Sequence, residues 1–448
     1  MNVRTSAVDT GLESVLHAYP KNASCAENGP RIKSASAATL LSLMTNVDAL
    51  RVSAHAQLRV YESLIGSGRD PNDFTGGDKS LKPRIVLSGV NVREVGALSV
   101  FRDALATLAR EHGDRYEIVA LVTRRELFDI TGVTYFEYPR IMHSYLARVH
   151  FEYWSSREIS ARLKPRLWLS MHDMTPNVSA EVRAVYCHNP SPFYRPTISE
   201  FFLDWRFGLF TLFYRFLYRI NIHANDYVIV QQDWMRKSFM RLYGVRNVIV
   251  AHPVVNLPNP VETLAGGAAA RPYRFFYPTF PRTYKNPELC LKAARILERR
   301  GFNEFELWLT LDASVNKYAS RVVKEFADVR SARWLGQLSR ERVFELYAEA
   351  DCLLFPSRLE TWGMPITEMR SFGKPILAAD LPYAHESAAG YHKVRFFGPG
   401  DAEQLADLMR QAATAQPIFG KAPEAAIAEP YAGNWSELWA LLLPQLPI

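Results

Sequence analysis

From Arg84 onward the chain alternates short unbroken apolar runs with amphipathic stretches. Ile85–Leu87, Tyr116–Thr123, Leu167–Ser170, Ala184–Cys187, Asp226–Val230 and Asn247–Ala251 read as buried strands, and helices are expected after Leu87, over Arg148–Leu163 and over Trp234–Tyr243. A second set follows: strands at Tyr273–Tyr277, Phe305–Leu311, Val329–Leu335, Cys352–Phe355 and Pro375–Ala379, with helices at Pro287–Arg299, from Ser339, from Pro365 to Gly373 and over Ala402–Ala412. Strands that alternate with helices predict doubly wound parallel sheets, an α/β protein. Between the sets, Leu257–Pro272 is a Pro/Gly/Ala passage with little to pack. The expected organisation is an extension over 1–81, partly helical at 40–65 with a linker at 66–80, then domains at 82–255 and 256–427 and an amphipathic tail at 428–448.

The most informative stretch runs from Ala350 to Asp380. Proline suits the first helical turn, where no N–H is needed, and Gly373 can take the left-handed conformation that ends the helix. Strand, loop, helix and strand follow one another without a gap. Glu360 sits in the loop and Glu368 in the helix, so two carboxylates converge with the backbone N–H groups of Gly363 and Met364 above the strand end. Carboxylates suit hydroxyls and N–H groups suit anions, which fits a sugar, a ribose and phosphates in one crevice. The plainer alternative is a solvated Glu360 and a Glu368 that only complements the helix dipole.

A formal charge of +7 over 448 residues permits attraction to nucleic acid or to an anionic membrane without demanding either. The basic residues are dispersed and no aromatic-basic module is recognisable, so nucleic acid is not an expected partner. The four cysteines are far apart and lack metal-ligand spacing, and no signal-peptide pattern opens the chain, which points to a reducing, cytoplasmic setting. No zinc, calcium or Walker spacing occurs, so no metal and no cofactor is expected.

Phe201–Ile222 is long enough to span a bilayer, but Asp204, Arg206, Arg215 and Arg219 interrupt it. Each central charge in lipid costs about 2.5–3.5 kcal/mol. A helical wheel groups Leu203, Phe207, Phe210, Tyr214 and Leu217 on one face and Gly208, Thr211, Arg215 and Arg219 on another. Two readings stay open: a helix lying at a lipid interface, as a peripheral contact on the inner face of the cytoplasmic membrane, or a domain helix with its apolar face in the core.

The string Phe355, Pro356, Ser357, Glu360, Gly363, Met364, Pro365, Glu368, Gly373 and Pro375 resembles the Glu-x7-Glu segment of the retaining glycosyltransferases of the GT-B fold, family 4. The resemblance implies two facing Rossmann-like domains, with the terminal helix returning to the first. It implies that Glu360 and the Gly363 and Met364 amides orient the donor sugar and that Glu368 takes the ribose. His188, in the segment His188-Asn189-Pro190 after a strand, matches the family histidine that faces the sugar from the opposite domain; its alternative is an ordinary loop imidazole. Lys285-Asn286 matches the family's diphosphate-binding pair. Arg282 lies three residues before Lys285, whereas the family arginine stands five before, at the position of Phe280. Gly96 is the best match to the family's glycine loop, whose paired glycines are absent, and Gly336 and Gln337 fall where the nucleotide base is met. His172, with Asp173, also stands at a strand's carboxyl end but is a poorer candidate than His188, and the ordinary loop reading is preferred there.

These expectations amount to a retaining, metal-independent hexosyltransferase that uses a nucleoside-diphosphate sugar, of GDP-mannose type, and a glycan or lipid-linked acceptor in surface polysaccharide or glycolipid synthesis. The rivals are a nucleotide-sugar epimerase or sugar phosphorylase on the same fold, and a non-catalytic membrane-associated scaffold.

Overall fold

The computed structural model describes residues 82–253 and 271–443, apart from 93–94, 129, 140, 142–144, 197–200 and 202–203. The expected extension at 1–81, the linker at 257–270 and Cys25 lie outside the described residues.

Among the described residues fourteen strands form two sheets, every pair within them parallel. In the first lobe these are β1 (Arg84–Gly89), β2 (Glu117–Val122), β3 (Val133–Glu137), β4 (Leu167–Ser170), β5 (Val182–Cys187), β6 (Tyr227–Val230) and β7 (Val248–Ala251). The second lobe has β8 (Tyr273–Tyr277), β9 (Phe305–Leu309), β10 (Ala332–Trp334), β11 (Cys352–Phe355), β12 (Ile376–Ala379) and β13 (Val394–Phe397). The chain then crosses back, and β14 (Tyr431–Ala432) pairs with β7.

The strand orders are β14-β7-β6-β5-β4-β1-β2-β3 and β10-β9-β8-β11-β12-β13. Order reverses between β1 and β4 in one lobe and between β8 and β11 in the other. At such reversals the following helices diverge to opposite faces, leaving a crevice beyond the strands' carboxyl ends. The central strands are covered on both faces, which is why β1, β4 and β11 read as continuous apolar runs. The terminal helix Trp435–Leu442 buries Trp435, Leu438, Trp439 and Leu442 in the core that Leu105 and Leu108 of the helix Val95–His112 also enter.

Several elements differ from the sequence reading. The helix expected at Arg148–Leu163 starts at Tyr145 and carries a π-turn at Phe151–Ser155. The helix Lys317–Glu325 and the strands β3, β13 and β14 are not predicted by the sequence pattern. The strand expected at Val329–Leu335 shortens to β10, and the helix after Glu360 opens at Met364, one residue before Pro365.

The helix Trp205–Leu217 corrects the wheel drawn for 201–222. Its buried positions are Gly208, Thr211 and Leu217. A Cβ at Gly208 would come within 2.3 Å of the Phe201 ring, so a small residue is required for this packing. The exposed apolar residues are Trp205, Leu212 and Phe216, and Arg206, Arg215 and Arg219 are exposed beside them rather than opposite an aromatic membrane face. Among the described residues no helix is long and apolar enough to cross a membrane.

Candidate active site

Two loops at the β8/β11 reversal are stitched together. The Arg358 N–H donates to the Tyr284 carbonyl at 2.7 Å and the Arg358 guanidinium to the Thr283 carbonyl at 3.0 Å. Asn286, in the left-handed region at φ 55°, starts the helix Pro287–Arg299 and donates through its side-chain amide to the carbonyls of Pro356 and Pro399. The Tyr277 hydroxyl, fully buried, donates to the Lys285 carbonyl at 2.6 Å. These bonds fix the backbone on both sides of the crevice.

Within that frame the Lys285 ammonium lies 2.5 Å from Glu360 Oε1, both side chains being largely shielded. A cation and a carboxylate 75 residues apart in sequence thus meet at the mouth of the reversal. Gly363 has φ +83°, and a Cβ there would press on Phe355 and Tyr383 at 3.3 Å, so glycine is needed for the turn into the helix Met364–Ser371. The first-turn N–H groups of that helix lack intrahelical acceptors and carry the positive end of its dipole.

Glu368 is buried, one oxygen accepting from the Tyr347 hydroxyl at 2.8 Å and the other 3.3 Å from Arg340. Burial pushes its carboxyl above the ordinary range, while Tyr347 and Arg340 pull the other way. Arg340 opens the helix after Gly336 and Gln337, which places that loop beside Glu368; Gly336 has φ +72° and Gln337 is exposed. Arg282 lies 5.5 Å from the Phe280 ring, on the same loop as Lys285. Gly96 is exposed in the first turn of the helix after β1, at the other lobe's reversal.

The first lobe meets this crevice at three places. The Tyr284 ring stands 5.1 Å from Phe207 and 6.5 Å from Tyr194, six residues beyond His188 on the loop leaving β5. Gln232, just after β6, is buried and donates to the Trp362 and Tyr383 carbonyls and to the Ser387 hydroxyl. The Asp233 N–H donates to Glu386, which also lies 2.9 Å from His252 Nε2. The carboxyl ends of both sheets therefore face one another.

Sequence reasoning missed Asp173. Its Oδ1 accepts from the His188 N–H at 2.6 Å, the Asn189 N–H at 3.0 Å and the Tyr218 hydroxyl at 2.7 Å, so it holds the loop that carries His188. It does so from φ +72°, a conformation few side chains adopt. The residue before it is clamped: Arg148 donates to the His172 carbonyl at 2.8 Å, and the buried His172 ring lies 3.2 Å from Ser88 Oγ and 3.4 Å from Glu152 Oε1. Burial raises the Glu152 carboxyl to about 8 and, with Arg148 nearby, lowers the His172 imidazole to about 3. The one signal available in the sequence was an His-Asp pair directly after a strand.

Among the described residues no group of three or more His, Cys, Asp or Glu side chains could hold a metal ion. Two surface hollows, one lined by Lys292, Arg295 and Arg299 and the other by Lys317, Arg321 and Lys324, share no residue with the cleft loops.

Two facing parallel-sheet lobes, each with a crevice at its strand reversal and joined by a returning terminal helix, are the GT-B architecture. Residues 269–428, most of the second lobe, match the family "Glycosyl transferases group 1". Solved structures share the fold over both lobes. A glycosyltransferase from Rickettsia africae ESF-5 matches at 13% identity, covering 75% of this chain and 89% of that chain with a TM-score of 0.54. Sucrose-phosphate synthase from Thermosynechococcus elongatus matches at 13%, 74% and 90%, with a TM-score of 0.53. WaaG, a glycosyltransferase involved in lipopolysaccharide biosynthesis, matches at 16%, 74% and 90%, also at 0.53. No curated protein sequence matches the chain.

Proposed function

We propose that the protein transfers a hexose from a nucleoside-diphosphate sugar to a hydroxyl of a glycan or lipid-linked acceptor, with retention at the anomeric carbon. The observation that carries this reading is the Lys285–Glu360 contact at the strand reversal of the lobe that matches glycosyl transferases group 1. Lys285, with Arg282 on the same loop, neutralises the departing diphosphate, and the backbone of the Gly96 loop in the facing lobe approaches its phosphates. A fixed cation and helix amino ends do this without reorganising as the bond breaks. When donor binds, Lys285 exchanges Glu360 for phosphate oxygens, and Glu360 is released to the sugar hydroxyls beside the Gly363 and Met364 amides. Glu368, held by Tyr347 and Arg340, takes the ribose, with Gly336 and Gln337 next to the base. His188 meets the sugar from the first lobe. A GDP-mannose type donor is the specific form of this reading, and no metal or cofactor is given a role. A lipid-linked acceptor would be met at a membrane surface, and 201–222 is the segment proposed to touch it.

The test is release of nucleoside diphosphate from GDP-, UDP-, dTDP- and ADP-sugars by the full chain. One donor is expected to be consumed with transfer to acceptor, and Glu360→Ala is expected to abolish this while keeping the melting temperature. Undiminished turnover by Glu360→Ala removes the proposal. An isomerised donor, or phosphate-dependent release of sugar phosphate, favours the epimerase or phosphorylase rival.

A further inference from the structure

The helix Trp205–Leu217 presents to solvent an apolar stripe that a water-facing helix has no reason to carry. Trp205 is 48% exposed, Leu212 65% and Phe216 51%. At ~100° per residue these three positions fall within about 40° of one another, a single stripe along the helix. Leu209, half-buried, lies on the same side. Arg206 and Arg215 stand to either side of that line, and Arg219 follows the helix end; all three are exposed. Asp204, at the helix's amino end, is occupied in capping it, accepting from the Phe207 N–H at 3.0 Å. The neighbouring helix Asp233–Tyr243 is tied to this one by the Tyr243 hydroxyl on the Arg215 carbonyl. It exposes Lys237, Met240 and Arg241.

We infer that this face docks the protein on an anionic lipid surface, with Trp205, Leu212 and Phe216 in the headgroup boundary and Arg206, Arg215 and Arg219 on lipid phosphates. Charge complementarity selects the occupant. A dry protein interface would have to strip three arginines of water, whereas a lipid interface lets the stripe sink while the guanidinium groups stay at headgroup level. The position also matters for function. Phe207, on this same helix, is 5.1 Å from the Tyr284 ring, the neighbour of Lys285 in the chain. Docking therefore sets the cleft mouth against the bilayer, where a lipid-linked acceptor would stand. This last step rests on the glycosyl-transfer reading; the docking itself does not.

The experiment is co-sedimentation of the full chain with phosphatidylcholine vesicles with and without phosphatidylglycerol, together with light scattering of the free protein. Wild type is expected to bind the anionic vesicles and to ignore the neutral ones. Arg206→Glu/Arg215→Glu/Arg219→Glu is expected to weaken binding by at least about a hundredfold, from roughly tenfold or less per charge removed and a further contribution from reversal. Trp205→Ala/Leu212→Ala/Phe216→Ala, altering only exposed side chains, is expected to lose binding while keeping its circular dichroism spectrum and melting temperature. Equal binding by wild type and either variant, binding to neutral vesicles alone, or a stable dimer that the apolar variant dissolves would overturn the inference. No donor or transfer is read in this assay. Its failure leaves the sugar-transfer proposal standing, and inactivity on every nucleotide sugar leaves vesicle binding standing.

Discussion

Lys285→Met keeps the apolar stem and removes the charge that lies 2.5 Å from Glu360 Oε1. The side chains are 20% and 13% exposed, between the surface case, in which a pair contributes under about 1 kcal/mol, and the buried case, in which losing one partner costs about 3–5 kcal/mol. A stability loss of about 1–3 kcal/mol is expected for Lys285→Met. Glu360→Gln should lose less, because the amide still accepts from Lys285. The double variant should be more stable than the sum of the two losses by about 1 kcal/mol, since neither charge is then left alone. Transfer behaves differently. Removing one group that stabilises developing charge lowers turnover about 10²–10³-fold, and restoring electrical balance does not restore the group. Thermal unfolding gives the stability cycle, and diphosphate release from the donor that wild type consumes gives the rate. Lys285→Met turning over within threefold of wild type, or a double variant that recovers its rate together with its stability, would refute the reasoning.

Four further outcomes follow from the same geometry. Asp173→Asn retains an accepting oxygen and tolerates positive φ, so it should melt close to wild type; Asp173→Ala loses three hydrogen bonds at φ +72° and should be destabilised by about 2–4 kcal/mol, with turnover falling as the His188 loop is released. Gln232→Ala removes the buried amide that donates to the Trp362 and Tyr383 carbonyls and to the Ser387 hydroxyl, and should cost about 1–3 kcal/mol in thermal unfolding with a larger proportional loss of turnover, because Trp362 adjoins Gly363. Glu152 has a folded pKa raised to about 8, so the stability it lends is complete below its unfolded value and is lost as pH rises to about 8; His172, lowered to about 3, acts oppositely and loses its contribution as pH falls from its unfolded value towards about 3. The two slopes cancel at mildly acid pH, and the stability of wild type should fall by roughly 1 kcal/mol from pH 7 to pH ~8, a fall that Glu152→Gln abolishes.

The buried centre of both sheets could be read from sequence, since strands covered on two faces appear as unbroken apolar runs. The unit from β11 to β12 could be read to within two residues, its helix marked by Pro365 and Gly373. The edges could not. β3 and β13 carry exposed residues and β14 is two residues long, so their periodicity is too weak to separate from loop. The wheel drawn on 201–222 failed for a different reason. It ranked residues by apolarity, whereas Gly208 is buried where its small size admits the Phe201 ring, and Thr211 is buried on the same helix. In the site, Lys285 and Glu360 each stood out through family resemblance, but their contact is made by folding and by no local pattern. Asp173 could not be found from composition or spacing, because its role lies in which amides it accepts from, and those belong to a different strand.

The most direct measurement is calorimetric titration of GDP, UDP, dTDP and ADP into wild type and Lys285→Met. The crevice between β8 and β11 should bind one of them in wild type, and its affinity should fall at least tenfold in the variant with the melting temperature of the unliganded variant still well above the titration temperature. Binding of none of the four, or equal affinity in both proteins, would contradict the claim that Lys285 and Glu360 line the donor site.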